Sequence, residues 1–226
     1  MGTSKGYIAP STPNWASAKR GITGYLNQPT EANKKDGSAK FARAMNADDT
    51  MIERAAAVFS DFVGFVSSSN TNGVSQALQD YGKEYLNTLP PEEALSELMN
   101  SFSSGSSIDD IIANNCISDA LIVLEIETID DFSKANFNEL IKELVCQFAK
   151  QKFAQMLDKH IMNRCENIVV AKAREKEIED YIYFTVKYQL TDDIISELNP
   201  RNIANVQVVK DIIAKAFDIL EHYYDD

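Results

Sequence analysis

The chain has 226 residues, of which 44% are hydrophobic and 25% charged, and its formal net charge is −12. This length suffices for a sizeable apolar core in one large domain or two small ones, while the negative balance disfavours nonspecific attraction to nucleic-acid phosphates. No apolar run approaches the ~20 residues of a membrane-spanning helix, and the N-terminus lacks the apolar stretch of a secretory signal. The expectation is a cytoplasmic protein with neither a membrane nor a nucleic acid as direct partner.

Residues 1–13 contain Gly2, Gly6, Pro10 and Pro13 without a helical apolar stripe, and read as an extended tail. Helical texture begins at Asn14, the expected N-cap, and runs through Trp15, Ala18, Ile22, Tyr25 and Leu26 until Pro29 ends it. Gly21 and Gly24 each weaken such a helix by about 1 kcal/mol unless close packing requires them. Asn33–Gly37 reads as a polar loop carrying Lys34 and Lys35. Phe41 and Met45, then Met51, Ile52, Ala55, Val58, Phe59, Phe62, Val63 and Val66, predict a long helical face, which the run Ser67–Gly73 breaks. Val74–Leu86 reads as a further helix, and Pro90–Phe102 as a shorter one opened by proline with Glu92 and Glu93 in its first turn. Ser103–Ser107 is a small-residue joint. It is the best boundary between an N-terminal helical region over 14–102 and a C-terminal one over 108–226, unless both form one continuous domain.

Beyond the joint, a helix over Ile108–Glu127 begins with Asp109 and Asp110. Phe137, Leu140, Ile141, Leu144, Val145, Phe148, Phe153, Met156, Leu157 and Ile161 mark the clearest amphipathic helix in the chain. Residues 166–189 read as helix too, although Tyr181–Val186 is rich enough in aromatic and β-branched residues to leave a strand open. After Pro200, Val209, Ile212, Ile213, Ala216, Phe217, Leu220 and Tyr223 share one helix face. The fold class is therefore mainly α, a multi-helix bundle with an extended N-terminal tail.

Charge is uneven: residues 1–45 carry +5 and the remainder −17. The basic segment either folds back on the acidic body or reaches an acidic partner. Four acidic pairs, Asp48–Asp49, Asp109–Asp110, Asp130–Asp131 and Asp192–Asp193, resemble metal or acid/base sites, yet each falls at the start of a predicted helix, where carboxylates satisfy free N–H groups. Glu125-Ile126-Glu127 places two carboxylates on one face only if extended. His160 lies at the edge of an apolar stripe as a structural imidazole, and His222 lies within the last helix. Cys116, Cys146 and Cys165 are far apart and set among helical residues, which argues against a disulfide framework or a zinc site, though a Cys–His nucleophilic pair stays geometrically open. Tyr181, Tyr183, Phe184 and Tyr188 could stack nucleobases. The carboxylates of Glu175, Glu177, Glu179 and Asp180 would repel the phosphates, so packing in the core or between helices is the better expectation. With no Walker A loop, dinucleotide fingerprint or HExxH motif, no catalytic residue, metal or cofactor is expected.

Met1-Gly2-Thr3-Ser4 has one chemical consequence. A small second residue permits removal of the initiator methionine and presents Gly2 as an unhindered α-amine, while Gly6 in place of Ser or Thr argues against myristoylation. This opening, with Pro10, Pro13 and Trp15, resembles the B component of the four-gene Qat anti-phage defence systems. The resemblance implies operon partners: an ATPase, a TatD-like nuclease, and a QueC-like enzyme similar to the deazaguanine synthase of queuosine biosynthesis. It further implies that the B component is a protein substrate, a deazaguanine being joined to Gly2, with Thr3, Ser4 and Lys5 read by the modifying enzyme. Two other readings stay open: a helical adaptor or inhibitor that binds its partner through an acidic surface, and a metal-dependent phosphoester enzyme built on the acidic pairs.

Overall fold

The computed structural model describes residues 9–102, 107–199, 201 and 204–223. Ten α-helices and two short 3₁₀ turns account for the regular structure among them, with no strand, so the chain is mainly α as expected. The helices are α1 (Pro13–Asn27), α2 (Glu31–Asn46), α3 (Thr50–Asn72), α4 (Val74–Asp80), α5 (Pro91–Phe102), α6 (Ile108–Val123), α7 (Phe137–Met162), α8 (Ile168–Gln189), α9 (Asp192–Leu198) and α10 (Val206–His222).

Local chemistry explains where several begin, and corrects several expected boundaries. The N-cap of α1 is Thr12 rather than Asn14: Thr12 is extended, its side chain accepts the Trp15 N–H, and Pro13 supplies the first helical residue, where a missing N–H costs nothing. The polar stretch 33–37 is no loop but the first half of α2. Thr30 caps that helix by accepting the Asn33 N–H, and Lys34–Glu31 and Lys40–Asp36 ion pairs at 3.0 and 2.7 Å line its solvent face. Gly37 belongs to a seam. A Cβ on Gly21 would lie 3.0 Å from the Gly37 Cα, and one on Gly37 would lie 2.9 Å from Ile22 Cδ1, so the two glycines let α1 and α2 approach closely. Gly24, by contrast, faces open space.

Helix α3 continues through Ser67–Asn72, where a break was expected, and there Ser69 and Thr71 donate their hydroxyl protons to the carbonyls of Phe65 and Ser67 four residues back, inside the helix and not against it. It stops at Gly73, whose φ of +86° only glycine adopts readily. The expected helix Val74–Leu86 is shorter: α4 ends before Gly82 (φ +65°), and Glu84–Thr88 forms a 3₁₀ turn. Tyr181–Val186 is helical, within α8. Of the 103–107 joint, residues 103–106 lie outside the described residues, and Ser107 is the N-cap of α6.

The chain divides into two compact units. One comprises the described residues up to Asp49 with Ala149–Gln189 and those from Ala214 onward; the other comprises Thr50–Phe148 and Leu190–Ile213. In the first, Phe41 is the hub of an edge-to-face ring cluster, with Trp15, Phe153 and Phe217 at 6.1, 5.3 and 5.9 Å, all fully buried. In the second, Phe62 and Phe65 of α3 meet Phe102 and Phe132 in the same way, and the Tyr81 hydroxyl fills the space beside Gly64. Helix α7 contributes its first half to this unit and its second half to the other. Its expected stripe is buried throughout, and in the middle of the helix burial extends to every side: Glu143 through Ala149 are all buried, with Gln147 Nε2 donating to Glu143 Oε1 at 2.8 Å. No described helix is long and apolar enough to cross a membrane.

Candidate functional site

Gly2, Thr3, Ser4 and Lys5 lie outside the described residues. What the structure shows is the point from which they depart. Ala9 is buried, and its carbonyl accepts a hydrogen bond from Lys19 Nζ at 3.1 Å, so the end of the expected 1–13 tail is held against α1. Trp15 anchors the same region in the ring cluster, its indole N–H buried without an acceptor. One turn further along α1, the Lys19 carbonyl receives the Thr23 hydroxyl at 2.8 Å, which uses the only proton that hydroxyl has. The His160 Nε2, 3.0 Å from the same carbonyl and 2.9 Å from Thr23 Oγ1, is therefore the donor to both, which ties the end of α7 to α1 with a neutral ring. Burial lowers the His160 pKa, and the nearby Arg164 and Lys19 charges lower it further against the hydrogen bond to Lys19. The imidazole is structural, as expected.

From Ala9 onward the basic segment is folded and paired, not extended. Lys34 and Lys40 pair within α2, and Arg43 pairs with Glu221 of α10 at 2.7 Å. The acidic pairs start helices. Asp110 forms a reciprocal capping box with Ser107 and also accepts from Arg54, and these bonds hold its carboxyl below the ordinary range. Asp131 does the same at Thr128, and Thr191 caps α9 ahead of Asp192. No group of three or more His, Cys, Asp or Glu side chains among the described residues is placed to hold a metal ion. Cys116 and Cys146 are buried thiols and Cys165 is half-buried, and none of the three forms a disulfide. Glu125 is not extended: with φ +54° it takes the left-handed position that ends α6, and Ile126 N–H returns to the Leu121 carbonyl.

The aromatic cluster departs from expectation. Phe184 is 48% and Tyr188 73% exposed, stacked at 6.1 Å and 19° on the surface of α8 instead of buried. They border a cleft of about 570 Å³ whose other walls include Tyr181, Tyr223, Lys34 and Lys35. Each lysine lies over a ring, Lys34 over Tyr181 at 5.6 Å and Lys35 over Tyr223 at 5.9 Å. At the cleft's edge Tyr25 donates to Glu177, which also accepts from Arg174. Burial and then that carboxylate push the Tyr25 phenol up to about 12, while the same bond lowers Glu177. The two lysines had looked like loop residues, and the missed signal was the helical spacing of the Glu31–Lys34 and Asp36–Lys40 pairs.

The family described as Qat anti-phage system associated protein QatB matches residues 37–220, from the middle of α2 to the last turn of α10. The chain belongs to the QatB family. This QatB chain is thereby a component of Qat anti-phage defence, with other components of the system as its partners. The match and the resemblance at residues 1–15 rest on separate parts of the sequence, and Gly2 falls in neither the matched span nor the described residues. No curated protein and no solved structure matches the chain.

Proposed function

We propose that this QatB is a non-catalytic protein substrate within the defence system, its helical body docking partner components while a QueC-like enzyme joins a deazaguanine to the α-amine of Gly2. The ATPase and the TatD-like nuclease complete the set of partners. The observation that carries this reading is the hold on Ala9: α1, through Lys19, fixes the chain seven residues after Gly2, so the body presents the terminus from a defined point. An α-amine has an ordinary pKa of roughly 7.7–8.0, so a useful fraction is neutral and nucleophilic near pH 7 without any activating group on this chain. Glycine adds no side chain to obstruct a narrow pocket.

Intact mass and N-terminal peptide analysis of protein purified from its own operon tests the reading. The expected result is loss of Met1 and an added mass on Gly2 that disappears when the QueC-like gene is deleted. An unmodified Gly2 in a phage-protective system rejects modification and leaves the adaptor.

A further inference from the structure

We propose that the aromatic cleft between α2, α8 and Tyr223 binds a nucleoside phosphate. This inference is independent of any modification at Gly2. The sequence order of α8 argues against such a ligand, because four carboxylates precede the aromatic cluster. The folded arrangement weakens that objection. Glu175 is buried and paired with Lys172 at 2.6 Å, Glu177 accepts from Arg174 and Tyr25, and Asp180 is paired with Lys176 at 3.0 Å. Burial raises the Glu179 pKa, against the pull of the nearby Lys150, Lys172 and Lys176 charges. The negative charge before the cluster is thus compensated on its own helix, while α2 brings Lys34 and Lys35, remote in sequence, to the cleft wall.

Three features suit this ligand class together. The volume, about 570 Å³, falls within the range of small-molecule sites. Phe184 and Tyr188 are already near-parallel and exposed, so a heteroaromatic base extends an existing stack without rearranging the core. The two ammonium groups sit over the neighbouring tyrosines and are placed for a phosphate at the base's far end. Glu31, which pairs with Lys34, and Glu177 and Asp180 of α8 also line the cleft and limit that attraction, so stacking carries the larger share of the affinity.

Isothermal titration of the full-length protein with ATP and GTP tests the site, with guanosine, tripolyphosphate and a dT12 oligonucleotide as comparison ligands. The expected result is saturable binding of at least one nucleotide, weakened at least tenfold by Phe184→Ala with Tyr188→Ala. Both residues are exposed, so the double variant should keep its circular dichroism spectrum and melting temperature. Lys34→Ala with Lys35→Ala should weaken nucleotide binding more than guanosine binding. The proposal is overturned if neither nucleotide binds up to about 1 mM, if tripolyphosphate binds as tightly as the nucleotides, or if the folded ring variant binds unchanged. Binding of dT12 without either free nucleotide also overturns it, in favour of a single-stranded nucleic-acid surface.

Discussion

Gly21 and Gly24 sit three residues apart on one helix and should respond to alanine in opposite directions. A Cβ at Gly24 meets nothing within 4 Å, so Gly24→Ala removes the backbone-entropy penalty of glycine and should raise stability by about 0.5–1 kcal/mol in denaturant unfolding. A Cβ at Gly21 must push against the Gly37 backbone and the Lys40 stem, each at 3.0 Å, and Gly21→Ala should cost about 1–3 kcal/mol. Equal responses at the two positions would mean that the α1–α2 seam is not closely packed. His160 makes a pH-dependent contribution of known sign. Its folded-state pKa lies below the ordinary 6.5, so as pH falls below about 6.5 the unfolded chain takes up a proton that the folded chain resists. Stability should therefore fall from pH 6.5 toward the lowered folded value. The Glu175 and Glu179 carboxyls, raised by burial, act in the opposite direction at lower pH. Unfolding free energies of wild type and His160→Gln from pH 8 to 5 isolate the histidine: the difference between them should shrink on acidification, and a constant difference would exclude a lowered folded-state pKa.

Helix α6 ends on a residue that its geometry does not favour. Glu125 takes the left-handed position usually given to glycine, so Glu125→Gly should relieve that strain and raise the denaturation midpoint by about 1 kcal/mol equivalent. A loss of stability would show that the Glu125 side chain makes a contact worth more than the strain. This position illustrates what the sequence withholds. Helices α7 and α10 were legible because their apolar residues recur with helical spacing over many turns, and the acidic pairs were legible because capping is local chemistry. The 33–37 segment was misread because its polarity is that of a solvent face and its glycine serves a seam whose other half is sixteen residues away. The exposed stack on α8 was misread for a related reason. Whether an aromatic residue is covered depends on which helix reaches it, and only the fold decides that Lys34 and Lys35 stand beside Tyr181 and Tyr223. The family, in turn, was approached through residues 1–15, whereas the match that establishes it lies in the helical body.

For the molecule as a whole, the proposed chemistry and the fold are separable. The ring clusters among the described residues begin at Trp15, and residues 1–13 carry no helical apolar stripe, so Gly2→Glu should retain Met1, block the terminus and leave helicity and melting temperature within experimental error. Co-expression with the QueC-like enzyme should then give no added mass, and phage protection should be lost; full protection by the variant would assign defence to the helical body alone. The attachment of Ala9 to Lys19 also acts as a ruler. Seven residues, however they are arranged, span at most about 25 Å from that fixed point. A modifying enzyme whose reactive centre lies within that depth of the surface against α1 can receive Gly2 with the body resting at its rim. One with a deeper shaft must first break the Lys19 hydrogen bond and draw Ala9 out of its buried place, so the same anchor that presents the terminus also sets how deep a pocket can use it.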